Sequence, residues 1–198
     1  IKAETQLKNR QYQKFNKTME TELADHPLKH YLTAEWIRTQ FYRKPIPEID
    51  AFLKRFKDQP PANKLNNRWL AYLARKQEWE LFLYYYTPTQ SLVRQCQRIT
   101  ALESTNNQFE AISDGQALWL KGVPLPKQCD TVFNNWRRIG YLSQDLIWER
   151  LMNAQTNRHG KLVSYLKKQL SKDTLKQFKV IQSAWRRPDT TFTDKRLL

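Results

Sequence analysis

Nine prolines cut this chain into segments expected to hold one or two helices each. They are Pro27, Pro45, Pro47, Pro60, Pro61, Pro88, Pro124, Pro126 and Pro188, and proline is tolerated in a helix's first turn but not in its interior. Between them, apolar residues recur with helical spacing. Ile49, Phe52, Leu53 and Phe56 follow i, i+3, i+4, i+7, and Leu65, Trp69 and Leu73 repeat every fourth position. Leu92, Cys96 and Ile99 form one stripe. Phe109, Ile112, Gln116 and Trp119 form another, with Ala111, Gly115 and Leu118 on a small-residue face beside it. Val132, Phe133, Trp136 and Ile139 follow, then Ile147 with Leu151, then Leu162, Leu166 and Leu170, and last Leu175, Phe178, Ile181 and Trp185. No segment alternates cleanly as a strand does, and Leu81 to Tyr86, lying between helical patterns, is expected to end a buried helix. Only four glycines are present, too few for the many tight turns of an all-β fold.

The expectation is therefore an all-α chain whose helices run about 10–16 residues and pack as short antiparallel hairpins. Hairpins without a long central helix stack as an α-solenoid, a superhelix, more readily than they close as a bundle. No strict repeat consensus recurs, so any solenoid is degenerate. One region over residues 1–198 is expected.

The charge is strongly unbalanced, with 34 Lys+Arg against 19 Asp+Glu and a net +15. Such a surface suggests an anionic partner: nucleic acid, a lipid surface or an acidic polysaccharide. The excess is spread along the chain without a basic tail. It is densest from Arg158 to Arg187, where Asp173 is the sole acid among Arg158, Lys161, Lys167, Lys168, Lys172, Lys176, Lys179, Arg186 and Arg187. Lys161, Lys168, Lys172, Lys176 and Lys179 are spaced so that much of this charge shares a face. It reads either as a solvated helix face or as a contact surface for an anionic polymer, formed by these five lysines and Arg158. The longest uncharged run, Leu81 to Val93, is broken by Pro88, which excludes a transmembrane helix. The opening Ile-Lys-Ala-Glu has neither a basic nor an apolar leader pattern, so any targeting peptide is expected to have been removed or never present.

Catalytic chemistry is sparse. His26, His30 and His159 are too scattered for a triad or a metal cluster, and nucleotide-binding, zinc-protease and serine-hydrolase motifs are missing. Glu20 with Glu22, and Glu78 with Glu80, sit two apart and point to different sides of a helix. They cannot form the facing carboxylates of a glycosidase. No catalytic, cofactor-binding or metal-ligating residue is expected. Cys96 and Cys129 lie in no CxxC pair and have no histidine nearby, so zinc has no support. Two buried thiols and one disulfide both remain open at this point.

Several fragments occur in a telling order. Leu23-Ala24-Asp25-His26-Pro27-Leu28-Lys29-His30-Tyr31-Leu32 is followed by Trp69-Leu70-Ala71-Tyr72-Leu73-Ala74-Arg75-Lys76-Gln77-Glu78-Trp79. Then come Gln95-Cys96, Ala117-Leu118-Trp119-Leu120-Lys121-Gly122, and Gln128-Cys129-Asp130 leading to Phe133 and Trp136. From about residue 12 to 170 the chain resembles the N-terminal superhelical region of the soluble lytic murein transglycosylases of Gram-negative bacteria. The resemblance implies a right-handed, U-shaped α-superhelix. It implies a periplasmic enzyme that cleaves the MurNAc–GlcNAc β-1,4 bond of peptidoglycan without water, leaving 1,6-anhydromuramoyl ends. In that family a separate, C-terminal lysozyme-like domain carries the reaction, marked by Glu-Ser and a downstream Gly-Leu-Met-Gln. Glu103-Ser104 occurs here, but Gly-Leu-Met-Gln does not, and the dipeptide is expected to be a chance occurrence at a helix–helix turn. The chain is thus expected to be the scaffold part, inactive alone, with peptidoglycan and the catalytic domain as partners. The family's cysteine spacing and the oxidising periplasm imply a Cys96–Cys129 disulfide. The alternatives are a peptide- or nucleic-acid-binding helical-repeat adaptor. A repeat code for bases is not found, so no nucleic acid is expected.

Overall fold

A computed structural model describes residues 2–42 and 47–186. Pro45, Arg187, Pro188 and the side chain of Arg186 lie outside the described residues. Twelve α-helices and one 3-10 turn, with no strand, make up the regular structure of the described residues. The chain divides into two compact units, Ile1–Thr87 and Pro88–Leu198.

The first unit holds α1 (Lys2–Lys8), α2 (Tyr12–Glu20), α3 (Lys29–Thr39), α4 (Pro47–Arg55), α5 (Pro60–Lys76) and α6 (Trp79–Tyr85). The second holds α7 (Leu92–Ser104), α8 (Gln108–Leu120), a 3-10 turn (Lys127–Cys129), α9 (Asp130–Arg138), α10 (Gln144–Thr156), α11 (Gly160–Lys167) and α12 (Lys172–Arg186). Pro47 begins α4 and Pro60 and Pro61 begin α5, positions whose backbone N–H would have no helical partner. The helices are more uneven than the spacing suggests, from 7 residues in α1 and α6 to 17 in α5. The stretch from Pro126 to Pro188 holds four of them, α9 to α12, rather than one or two, because turns without proline divide it.

One turn geometry builds four of the helix pairs. Arg10, Gln77, Asn106 and Arg158 each adopt a left-handed conformation, with φ of 59°, 57°, 60° and 59°. The residue after each returns its N–H to the carbonyl five positions back: Gln11 to Gln6 at 2.8 Å, Glu78 to Leu73 at 3.0 Å, Asn107 to Leu102 at 2.9 Å, His159 to Ala154 at 2.9 Å. This closes the first helix of each pair, and the next begins at once. The pairs α1–α2, α5–α6, α7–α8 and α10–α11 then pack together. A non-glycine residue at such a position costs about 1–2 kcal/mol. Packing of the two helices bears that cost, which is how a chain with four glycines makes so many reversals.

In the first unit Ala3, Leu7, Phe15 and Met19 close one core, with Leu32 and Trp36 of α3 packed on it. Ile49, Leu65, Leu73 and Phe82 are fully enclosed in the same unit. The run Leu81 to Tyr86 does end a helix, α6, but that helix is not buried as expected, because only Phe82 faces the core while Leu81 and Tyr84 are exposed. In the second unit Cys96, Ile99, Leu118, Val132, Leu151, Leu166 and Phe178 are buried. Three residues of the sequence stripes are exposed. Phe109 is 87% exposed, because α8 turns its small face, Ala111 and Gly115 with Leu118, to its neighbours. Ile139 is 64% exposed: it is the C-cap of α9, where helical spacing no longer governs direction. Trp185, in the last turn of α12, is about half exposed.

Candidate functional site

Three of the motif-bearing fragments, those around Cys96, Trp119 and Cys129, converge in the second unit. Cys96 on α7 and Cys129 at the end of the 3-10 turn are joined as a disulfide, with Cα atoms 5.0 Å apart and both side chains buried. Seven residues beyond each cysteine stands a second contact between the same two elements. There the Trp136 indole N–H donates to Glu103 Oε1 at 2.9 Å. The equal offset means α7 and α9 run side by side in the same direction, fastened at two levels about 10 Å apart. At the second level the Trp136 ring lies against Gly115 of α8, so close that a Cβ there would overlap the indole. Phe133 bridges Trp136 and Trp119, with ring centroids 5.3 and 4.9 Å away. Glu103 and Ser104 close α7 before the Asn106 turn, and Oε1 of Glu103 is engaged by an indole.

The end of α8 is met by side chains of α10. The last carbonyls of a helix have no partner within it and carry the negative end of its dipole. Arg150 is 3% exposed, lies over the Trp119 ring with Cζ 4.2 Å from its centroid, and donates to the carbonyls of Trp119 and, at 2.9 Å, Val123. Asn153 donates to Leu120 O at 2.7 Å and Asn157 to Lys121 O at 2.9 Å, while the Trp119 indole returns a bond to Leu146 O at 2.9 Å. Burial lowers the Arg150 guanidinium to about 10, so it stays charged at neutral pH, where α8's dipole favours it. Gly122 follows at φ +62°, and a Cβ on it would come within 2.6 Å of Asn153 and of the Ala154 backbone N. The run Leu118 to Gly122 is thus shaped by α10 packing. The sequence reading did not single out Arg150.

The other sequence-derived candidates are dispersed. Arg158, Lys161, Lys168, Lys172, Lys176 and Lys179 are all exposed, and the last three occupy one side of α12. Lys176 Nζ lies 3.7 Å from Asp173. His26 Nδ1 accepts the Leu28 N–H at 3.1 Å, and His30 stacks on Phe56 with centroids 5.0 Å apart. Among the described residues, no group of three or more His, Cys, Asp or Glu side chains is arranged to hold a metal ion, and no helix is long and apolar enough to cross a membrane.

In the first unit, one carboxylate gathers three cations. Arg68 Nη1 lies 2.7 Å from both oxygens of Glu35, Arg38 Nε lies 2.8 Å from Oε2, and Lys64 Nζ lies 3.4 Å from Oε1. Burial raises the affinity of Glu35 for a proton, but the bonds from Arg38 and Arg68 outweigh it and hold the carboxyl below its usual range. Sequence spacing alone did not show this cluster, because its members come from two helices.

No family model matches the chain. Soluble lytic murein transglycosylase of Escherichia coli K12 is 29% identical over 172 residues, which is 86% of this chain and 27% of that protein. The enzyme of Salmonella typhimurium is 29% identical over 149 residues, 75% of this chain and 23% of its own length. The chain therefore spans about a quarter of the curated relatives it matches. Among solved structures, the 70-kDa soluble lytic transglycosylase of E. coli aligns with a TM-score of 0.74 and 27% identity over 96% of this chain and 31% of that one. An inactive mutant of lytic transglycosylase Slt from Pseudomonas aeruginosa aligns with a TM-score of 0.74 and 28% identity over 87% and 28% of the two chains. The likeness assigns the helices to the α-superhelical class.

Proposed function

We propose that this chain is the non-catalytic helical scaffold of an enzyme of the soluble lytic murein transglycosylase family, to whose members it is similar in sequence and in structure. The parent protein cleaves the MurNAc–GlcNAc β-1,4 bond of peptidoglycan to leave 1,6-anhydro ends, and acts in the periplasm of a Gram-negative bacterium. Residues 1–198 form a single α-superhelical region of it, and a lysozyme-like domain elsewhere in the parent carries the reaction. Glu103 supports this reading: the one Glu-Ser dipeptide of the sequence has its carboxylate engaged by the Trp136 indole N–H, seven residues beyond the Cys96–Cys129 disulfide. A general acid for glycoside cleavage needs a closed cleft around the sugar. The exposed Arg158, Lys161, Lys168, Lys172, Lys176 and Lys179 are the proposed contact surface toward anionic wall polymer.

The test is to incubate purified sacculi with this chain and, separately, with the natural gene product that contains it, and to detect anhydromuropeptides by mass spectrometry. The longer protein releases them and residues 1–198 alone do not. Release by residues 1–198, abolished by Glu103→Gln, would overturn the scaffold assignment.

A further inference from the structure

Helices α1, α3 and α5 line an open cleft of about 1460 Å³ within the first unit, which nothing above assigns a role. Its walls carry six cations, Lys2, Lys8, Arg10, Arg38, Lys64 and Arg68, against the carboxylates Glu4, Glu22 and Glu35. Lys2 pairs with Glu22 at 2.5 Å. The other pairing is lopsided, because Arg38, Lys64 and Arg68 all converge on the single Glu35 carboxylate. Two positive charges are left over at that point. The three side chains remain 44%, 63% and 41% exposed, so their outer faces are open to a ligand. A cleft lined by an excess of one charge concentrates ligands of the opposite sign. Guanidinium groups there suit planar carboxylates, which they bind through paired hydrogen bonds. The same cleft exposes Leu28, Tyr31 and Tyr42. Amphipathic aromatic rings of this kind suit a ligand with one apolar and one wet face.

We propose that this cleft binds the carboxylate-bearing, peptide side of a murein strand, with Arg38, Lys64 and Arg68 taking the carboxylates and Tyr31 and Tyr42 meeting the sugar. The proposal rests on the family reading for the identity of the ligand; the charge excess and the exposed rings supply the site. Three of the six cations, Arg38, Lys64 and Arg68, gather at the single Glu35 carboxylate, a cluster that suits a discrete carboxylate better than the evenly spaced phosphates of a nucleic-acid backbone.

The experiment titrates the full 198-residue chain with a soluble GlcNAc–MurNAc-pentapeptide, with chitotetraose as the uncharged control, followed by chemical-shift changes. The muropeptide binds at low salt and weakens toward about 0.15 M salt, and chitotetraose binds more weakly. Lys64→Gln with Arg68→Gln lowers muropeptide affinity about tenfold or more and leaves chitotetraose binding unchanged. Lys64→Gln alone removes an exposed charge while Glu35 keeps both arginines, so its smaller loss is readable if the double variant folds poorly. Equal muropeptide affinity in wild type and in folded variants would overturn the site, as would equal binding of an RNA oligomer. Release of anhydromuropeptides by the parent protein tests the family reading separately, so the cleft and the family assignment can fail independently.

Discussion

Gly122 and Gly140 form a matched pair. Both sit at positive φ, 62° and 75°, where a side chain costs about 1–2 kcal/mol. Their surroundings differ completely. A Cβ at Gly140 meets nothing within 4 Å, whereas at Gly122 it meets Asn153 and the backbone N of Ala154 at 2.6 Å. Backbone of a packed helix cannot swing aside as the tip of a lysine can, so α10 must shift or the loop must open. Such overpacking adds about 1–3 kcal/mol. In both variants, reduced freedom of the unfolded chain returns about 0.4–1 kcal/mol. Gly140→Ala should therefore destabilise by about 1 kcal/mol, and Gly122→Ala by about 2–4. For a chain of this length the midpoint falls about 2–4 °C per kcal/mol. Thermal unfolding by far-UV circular dichroism should show Gly140→Ala down by about 2–4 °C and Gly122→Ala by about 5–15 °C. Both glycines lie in the second unit, so one transition reports on both. Equal shifts would mean the approach of α10 to Gly122 carries no energy, and the account of the Leu118 to Gly122 motif would fall with it.

Cys96 and Cys129 enclose a loop with a sequence separation of 33. Replacing both by serine should cost about 3–4 kcal/mol in the chain-entropy picture, read as a lower unfolding midpoint in denaturant. Unfolded, non-reduced protein should show no titratable thiol; two per chain would refute the bridge. On α12, changing Lys172, Lys176 and Lys179 together to Gln should weaken binding to sacculi at low salt and leave the melting temperature within error, since exposed charges add little to folding. Unchanged sacculus binding would reduce this surface to a solvated helix face.

Much of the fold was legible because it depends on local rules. Proline placement and apolar spacing mark the helices, and Leu65, Trp69 and Leu73 are all buried in α5 as their spacing required. Spacing identifies a stripe without saying which of two adjacent stripes a neighbour covers. On α8 the sequence shows an aromatic stripe beginning at Phe109 beside a small-residue face, and the small face is the one covered along its length, where the Trp136 indole fills the gap at Gly115. Arg150 was overlooked although its position carried a signal. Ile147, Arg150, Leu151 and Ala154 fall at i, i+3, i+4, i+7, so a charged residue stands inside an apolar stripe, and all four are buried. The partner of such a charge, here the end of another helix, is not visible along the chain. The cleft of the first unit was illegible for the same reason: residues from Lys2 to Arg68 reach it only once three helices have packed.

The α8 terminus also limits where this polypeptide can change length. Arg150, Asn153 and Asn157 meet successive carbonyls from Trp119 onward, so α10 acts as a ruler with three marks on one edge. One residue inserted between Arg150 and Asn153 turns everything after it by about 100° and lifts it about 1.5 Å. Asn153 and Asn157 would then leave their carbonyls together, whatever residue was inserted. Even an inserted alanine, the best helix former, cannot be accommodated there, while an insertion in an exposed connector displaces no such contact.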